Sequence, residues 1–311
     1  MIVVTGADGW IGSQVSRLLE ERGHAVLRLS RKARGKGKIF ELEWTAEEMA
    51  ALLTGCDAIV HCAARVHVPE DPSSSDHGLF GEINEGGTRR LVQAAEMAGV
   101  ARFVLVSTIA VYGDGQRAPS REGNALRPAS AYARSKVAAE RAVAESGVDW
   151  RICRLATVFG TGDHANFKRL AQALRAGKFV IPGRGGARKS VISIDVAAAV
   201  IAEALEPEWS RKTVNVALPA APTLAEICSV FCKAGGFPPP RHIPMAILQA
   251  LAFAGGASAR VGLPAPLTPR VLSKLVTDTV VDTSAVHALM PGMSWPSFDE
   301  ALRYHIEYYK R

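Results

Sequence analysis

Aromatic side chains make up only 6% of this 311-residue sequence, and its five cysteines, Cys56, Cys62, Cys153, Cys228 and Cys232, form no Cys-x-x-Cys pair. An odd, scattered set of thiols excludes a disulfide framework and points to a reducing compartment, the cytoplasm. Cys228 and Cys232 lie four apart on a helical segment but have no His or further Cys at ligand spacing. They read as small apolar core residues, and no metal site is expected. Met1 leads straight into Ile2-Val3-Val4, so no secretory leader is expected. Long hydrophobic runs are missing too. The longest charge-free stretch, 243–259, contains Pro244, Gln249, Gly255 and Gly256 and is shorter than the roughly 20 residues of a spanning helix. It reads either as a buried or domain-covering helix or as a weak contact with a membrane surface.

What is present is ordinary for a globular protein. With 48% apolar and 22% charged residues, collagen-like, coiled-coil and disordered chains are excluded. A formal charge of +7 and a pI near 9.3 favour anionic ligands, because a positive field concentrates phosphate-bearing molecules. Nucleic acid is not expected as a partner: no zinc finger, RNP-type motif or stacked aromatic array accompanies the charge.

Through the first half, short apolar runs alternate with segments of helical period. Strands are expected at Ile2–Val4, Ala25–Leu29, Ala58–Cys62, Phe103–Ser107 and Trp150–Arg154, with helices from about Gly12, Ile83 and Ser130 between them. Strict alternation predicts right-handed βαβ crossovers and a Rossmann-type, doubly wound parallel sheet of the α/β class. Beyond Gly160, Pro-rich and Gly-rich punctuation implies a smaller substrate-binding lobe, formed by about 161–190 and 219–311. Residues 191–218, with strand-like Val191–Ile194 and Thr213–Ala217, return to the first unit of 1–160.

The string Thr5-Gly6-Ala7-Asp8-Gly9-Trp10-Ile11-Gly12 closes the first strand and opens the first helix. Glycines at spacing three let the backbone turn sharply, approach a pyrophosphate and pack helix on strand, while free N–H groups at the helix start bind the anion. The second strand then ends in Ser30-Arg31-Lys32-Ala33-Arg34, with no acidic residue before Glu41. An NAD site places Asp or Glu there to accept from the ribose 2′-hydroxyl, whereas a 2′-phosphate calls for Arg. NADP(H) is therefore the favoured cofactor and NAD(H) the alternative, with Ser30 and Arg31 as the contacts; a solvated basic loop is the competing reading.

Tyr132 and Lys136 fall on one face of a helix, one turn apart. A free phenol is a poor acid–base group at neutral pH, but a nearby ammonium and a cationic nicotinamide would favour its ionised form. Ser107-Thr108, at the carboxyl end of a strand, is placed to polarise the same substrate oxygen.

Taken with the N-terminal glycines, these motifs resemble the extended short-chain dehydrogenase/reductases, the NAD-dependent epimerase/dehydratase family, in its sugar-nucleotide 4-ketoreductase/4-epimerase branch. The matching strings are TGADGWIG (5–12), DAIVHCAA (57–64), NEGGT (84–88), VSTIAVYG (106–113), PASAYARSK (128–136), RLATVFG (154–160) and VISIDVA (191–197). The resemblance implies that Thr108 hydrogen-bonds the substrate oxygen, that Tyr132 is the acid/base, and that Lys136 holds the nicotinamide ribose and lowers the tyrosine pKa. It further implies that Gly6, Gly9, Trp10, Ile11 and Gly12 cradle the pyrophosphate, that Cys62, Ala63 and Ala64 line the cofactor beside Asn84, and that Arg188 grips a substrate diphosphate. Two departures stand out: Arg154 is followed by Leu155 instead of the family's common Pro, and Ser30-Arg31 replaces the acidic ribose reader.

The resemblance thus implies an oxidoreductase of polysaccharide biosynthesis acting at C4 of a nucleotide-linked sugar, a 4-keto-6-deoxy sugar reductase or dehydrogenase. A UDP-sugar 4-epimerase with retained NAD is the alternative, and a non-catalytic dinucleotide-binding redox sensor the competing class. A helix-paired homodimer is the expected assembly. His61, His67 and Arg65, around the cofactor loop, read as structural or solvated groups. Tyr304–Tyr309 reads as one side of an amphipathic closing helix.

Overall fold

The computed structural model describes residues 1–31, 38–41, 43–66, 76–115, 118–260 and 267–311. Lys32–Arg34 and His67, named above, lie outside the described residues. In chain order the first half runs β1 (Ile2–Thr5), α1 (Trp10–Glu21), β2 (Val26–Ser30), β3 (Lys38–Ile39), α2 (Ala46–Leu53), β4 (Ala58–His61), α3 (Asp76–Phe80), a π-helical turn (Gly81–Gly86), α4 (Gly87–Met97), β5 (Arg102–Thr108), α5 (Ala131–Ala144) and β6 (Asp149–Leu155). The second half runs β7 (Thr157–Phe159), α6 (Asn166–Arg175), β8 (Val180–Pro182), β9 (Val191–Ser193), α7 (Ile194–Glu203), β10 (Lys212–Val216), α8 (Leu224–Gly235), β11 (Arg241–Ile243), α9 (Met245–Arg260), α10 (Pro269–Val276), α11 (Ser284–Leu289) and α12 (Phe298–Lys310).

Seven strands form one sheet in the order β10-β6-β5-β4-β1-β2-β3, and every neighbouring pair is parallel. The first strand is central, with Ile2 opposite Val26 on one side and Ala58 on the other. The strands read as unbroken apolar runs because both faces are covered. Val3, Ile59, Phe103, Leu105 and Ile152 face one core together with Leu91 and Val92 of α4 and Ala139 and Val143 of α5. Val4, Val60, Val104, Val106 and Cys153 face the opposite core together with Val15 and Leu19 of α1 and Val200 and Ile201 of α7.

β10 joins the large sheet beside β6, as Thr213–Ala217 suggests. β9 instead pairs with β7 in a separate two-stranded sheet, so the 191–194 run leaves the main ladder and passes directly into α7. Packing behind that small sheet is aromatic: Phe159, Phe167, Phe231, Phe298 and Tyr309 contact one another and bring α6, α8 and α12 together. α12 buries Ile306 and Tyr309 and exposes Tyr304, the two-sided helix its sequence implies. Capping boxes at Thr45–Glu48, Thr223–Glu226 and Ser297–Glu300 fix the starts of α2, α8 and α12, a device worth about 1 kcal/mol per helix.

Candidate active site

All the strands of a parallel sheet end on the same edge, and there the chain places its glycine loop. Gly6 follows β1 with φ +65° and passes so close to the turn after β4 that a Cβ would lie 2.8 Å from Ala63 Cα and N. At Gly12 a Cβ would lie 2.2 Å from the Gly6 carbonyl oxygen. The Gly9 N–H donates to that same carbonyl at 2.8 Å, which closes the turn and sets the first turn of α1 facing it. Side chains at 6 and 12 would fill this cradle, so the bare backbone is what an anionic pyrophosphate needs at a helix start. Trp10 donates its indole N–H to the Thr161 carbonyl at 2.7 Å, tying the loop to the chain after β7, and Ile11 packs against the core.

Under the cradle runs a chain of neutral hydrogen bonds. His61 Nδ1 lies 2.7 Å from Thr5 Oγ1 and its Nε2 lies 3.0 Å from Thr88 Oγ1, which in turn donates to the Asn84 carbonyl. Burial, reinforced by the Lys136 charge, pushes the imidazole down to about 3, so His61 is a neutral strut. Asn84 is buried within the π-helical turn. Its amide donates to the Arg65 carbonyl at 3.0 Å and to Ser135 Oγ at 2.9 Å, and its Oδ1 accepts the Arg65 N–H at 2.7 Å. Asn84 therefore fixes the loop carrying Cys62, Ala63 and Ala64 to the helix carrying Tyr132 and Lys136. Cys62 is half-buried and burial raises its thiol to about 12, which excludes a thiolate nucleophile there.

The candidate reacting groups lie on α5 and at the end of β5. Ser130 caps α5 through its hydroxyl, which accepts the Ala133 N–H at 3.1 Å. Tyr132 follows in the first turn with its ring edge-on to Phe80, centroids 6.4 Å apart. One turn later Lys136 is buried and donates Nζ–H to the Val106 carbonyl at 2.6 Å. Thr108 is half-buried at the strand's last position, its Oγ1 accepting the Ala110 N–H at 3.2 Å. Burial raises the Tyr132 phenol to about 12 and lowers the Lys136 ammonium to about 8, the latter against the opposing pull of Glu140 and Cys62. The ammonium is directed to a strand carbonyl, and the phenol is a protonated acid at neutral pH.

Three features were not read from the sequence. Ser30 donates its hydroxyl to Asp8 Oδ2 at 2.9 Å, so a carboxylate from the glycine loop does stand at the end of β2, while Arg31 is exposed. Next, a buried polar network joins β5, α5 and β6. Ser107 Oγ donates to Glu140 Oε1 at 2.5 Å, and Arg154 Nη2 meets Glu140 Oε2 at 2.7 Å with both side chains under a tenth exposed. Arg154 Nη1 donates to the Tyr112 hydroxyl at 2.8 Å, and that hydroxyl donates to Asn215 Oδ1 at 2.7 Å. The signal was available: Tyr132, Lys136 and Glu140 form one i, i+4, i+8 stripe, and a carboxylate facing the sheet needs a cation such as Arg154 of β6. Finally, Phe80, reached only through the π-helical turn, covers the tyrosine ring. Arg188 stands apart from these groups; its N–H donates to Asp278 Oδ1 at 2.8 Å and its Nε to the Ala221 carbonyl at 3.3 Å.

Sheet order, glycine cradle and tyrosine–lysine helix together define a dinucleotide-binding short-chain dehydrogenase/reductase fold. Residues 2–217 match the model of the NAD dependent epimerase/dehydratase family, and the chain belongs to that family, within the extended short-chain dehydrogenase/reductases. It is 30% identical over 187 residues to a UDP-glucose 4-epimerase of Vibrio cholerae, covering 57% of each chain. It is 32% identical over 205 residues to a 3 beta-hydroxysteroid dehydrogenase/Delta 5-->4-isomerase of Mycobacterium tuberculosis, covering 60% of this chain and 55% of that one. The chain thus matches little more than half the length of these curated relatives. Others are sugar-nucleotide dehydratases and reductases. Among solved structures, MoeE5 in complex with UDP-glucose and NAD superposes with a TM-score of 0.76 at 23% identity, covering 99% of this chain and 97% of that one, a likeness of fold.

Proposed function

We propose that the protein reduces the C4 ketone of a nucleotide-linked 6-deoxy sugar, with NADP(H) as cofactor. The observation that carries this reading is the state of Tyr132: a half-buried phenol held protonated in the first turn of α5, one turn before a buried ammonium that donates to β5, the strand that ends in Thr108. Ketone reduction ends on an alkoxide that needs a proton, and a protonated phenol is the acid for that task. A dinucleotide held by its pyrophosphate in the glycine cradle would supply the hydride from its nicotinamide. The chain's own residues do the rest. Thr108 and Tyr132 donate to the substrate oxygen, Tyr132 gives its proton to the alkoxide formed at C4 and so makes the sugar hydroxyl, and Lys136 holds the neighbouring ribose. The exposed Arg188 grips the nucleotide diphosphate, and residues 161–190 and 219–311 form the lobe that receives the substrate. A helix-paired homodimer belongs to the same proposal.

One observation favours a second reading, a 4-epimerase with retained NAD. Asp8, fixed by Ser30, presents a carboxylate where a ribose 2′-hydroxyl would be read and where a 2′-phosphate would be repelled. Arg31 opposes it, since a charge-assisted contact to a 2′-phosphate is worth on the order of 1.5–3 kcal/mol, roughly ten- to a hundredfold in affinity. The two groups are tested by measuring binding of NADPH and NADH to wild type, Arg31→Asp and Asp8→Asn. The reductase reading expects wild type to prefer NADPH, Arg31→Asp to lose that preference and Asp8→Asn to strengthen it. Equal wild-type affinities, or NAD retained through purification, support the epimerase.

A further inference from the structure

The 243–259 stretch does not form a core helix. α9 buries Leu248 and Ala252 against Leu272 of α10 with Met245 packed beside them, and from Ala246 to Ala254 exposes its other side chains. Ile247 is 52% exposed, Leu251 54% and Phe253 78%, and Val271 and Val276 of α10 are exposed as well. Gln249 is the one polar side chain outward from Met245 to Gly255, and no charged residue interrupts the sequence between His242 and Arg260. A soluble helix ordinarily carries charge on its solvent face; this one carries exposed apolar bulk.

The segment that carries this face is basic. From Glu226 to Asp278 the chain contains no carboxylate side chain, whereas Lys233, Arg241, Arg260, Arg270 and Lys274 all fall in that interval. Lys233, Arg241, Arg270 and Lys274 are exposed, and a further cation, Lys189, donates its Nζ–H to the Lys274 carbonyl at 2.8 Å. Large exposed apolar side chains on a segment whose charged residues between Glu226 and Asp278 are all cations complement one kind of surface: a bilayer with anionic headgroups, into which Leu and Phe insert while Arg and Lys meet the phosphates. A second copy of this chain is a poor occupant, because it would place the same cations face to face.

We propose that the α9–α10 face is a docking surface for an anionic lipid bilayer, and that the protein works at the membrane surface without crossing it. Among the described residues no helix is long and apolar enough to cross. The contact is monotopic: α9 lies in the interface plane with Ile247, Leu251 and Phe253 in the headgroup–acyl boundary. This inference is independent of the cofactor and of the reaction.

The experiment is co-sedimentation of the full chain with vesicles of phosphatidylcholine alone and of equimolar phosphatidylcholine and phosphatidylglycerol, using wild type, Leu251→Glu/Phe253→Glu and Lys274→Glu. Wild type is expected to pellet with the anionic vesicles only, and less so at high salt. The exposed double substitution should abolish pelleting while leaving thermal stability and dinucleotide affinity unchanged. Lys274→Glu should weaken binding by about thirtyfold, the loss of one surface cation and the gain of an anion. Wild type staying in the supernatant with anionic vesicles overturns the proposal, as does a double variant that pellets like wild type. So does concentration-dependent self-association in lipid-free solution that the double substitution abolishes, which would assign the face to a second copy.

Discussion

Tyr132→Phe is expected to lower turnover by about 10²–10⁴-fold while leaving dinucleotide affinity unchanged. The ring remains, so the edge contact with Phe80 and the packing of the first turn of α5 persist; only the proton donor is lost. Steady-state kinetics beside cofactor titration reads this directly, and full activity in the variant would remove Tyr132 from the chemistry. The pH dependence follows from the same burial. Since the phenol is pushed up to about 12, its deprotonation does not limit reduction near neutrality. Lys136, brought down to about 8, is cationic below that pH and neutral above it, so kcat/KM for reduction is expected to fall as pH rises through about 8. Lys136→Met should remove that inflection along with most of the activity.

The second large effect concerns stability. Arg154→Met is expected to destabilise the protein by about 3–5 kcal/mol, because it leaves the Glu140 carboxylate buried without its cation. It also removes the donor on Tyr112, whose hydroxyl anchors Asn215 and through it the Ser120 and Asp282 carbonyls. The double variant Arg154→Met/Glu140→Leu should recover a large part of the loss, since two apolar side chains leave no unpaired charge. Denaturant titration of wild type, the single and the double variant measures both numbers; a single variant as stable as wild type would show that the pair carries no such role. Because Glu140 lies one turn beyond Lys136, the single variant should also loosen the setting of Lys136 against Val106.

The parts legible in the sequence are those in which local chemistry and tertiary role coincide. Strands covered on both faces show as apolar runs, so Val3–Thr5, Ile59–His61 and Phe103–Val106 are visible without a partner. Gly6, Gly9 and Gly12 are visible because only a missing side chain lets backbone pass at those distances. Tyr132 and Lys136 are visible because one helical turn sets them in register. What escaped reading depends on contacts distant in sequence. Asp8 reaches Ser30 only because β1 and β2 run parallel and side by side, so a search along β2 for an acidic residue passes over it. The helix expected from Ile83 begins earlier, as α3, and crosses a π-helical turn that admits an extra residue and rotates the following face, which no 3.6-residue period reports. The 191–194 run looks like a core strand because it is fully buried, yet its hydrogen bonds go to β7. α9 has the composition of a buried helix, and only its neighbours reveal that one side stays open.

The most direct test of the central claim is to supply a nucleotide-linked 4-keto-6-deoxy sugar with NADPH deuterated at the transferable position, and to locate the deuterium in the product. A C4 ketoreductase oxidises one equivalent of cofactor per turnover and delivers the deuterium to C4 of the sugar, with the 4-hydroxyl proton drawn from solvent through Tyr132. Interconversion of UDP-glucose and UDP-galactose with no net oxidation of added cofactor would contradict that reading and establish the epimerase.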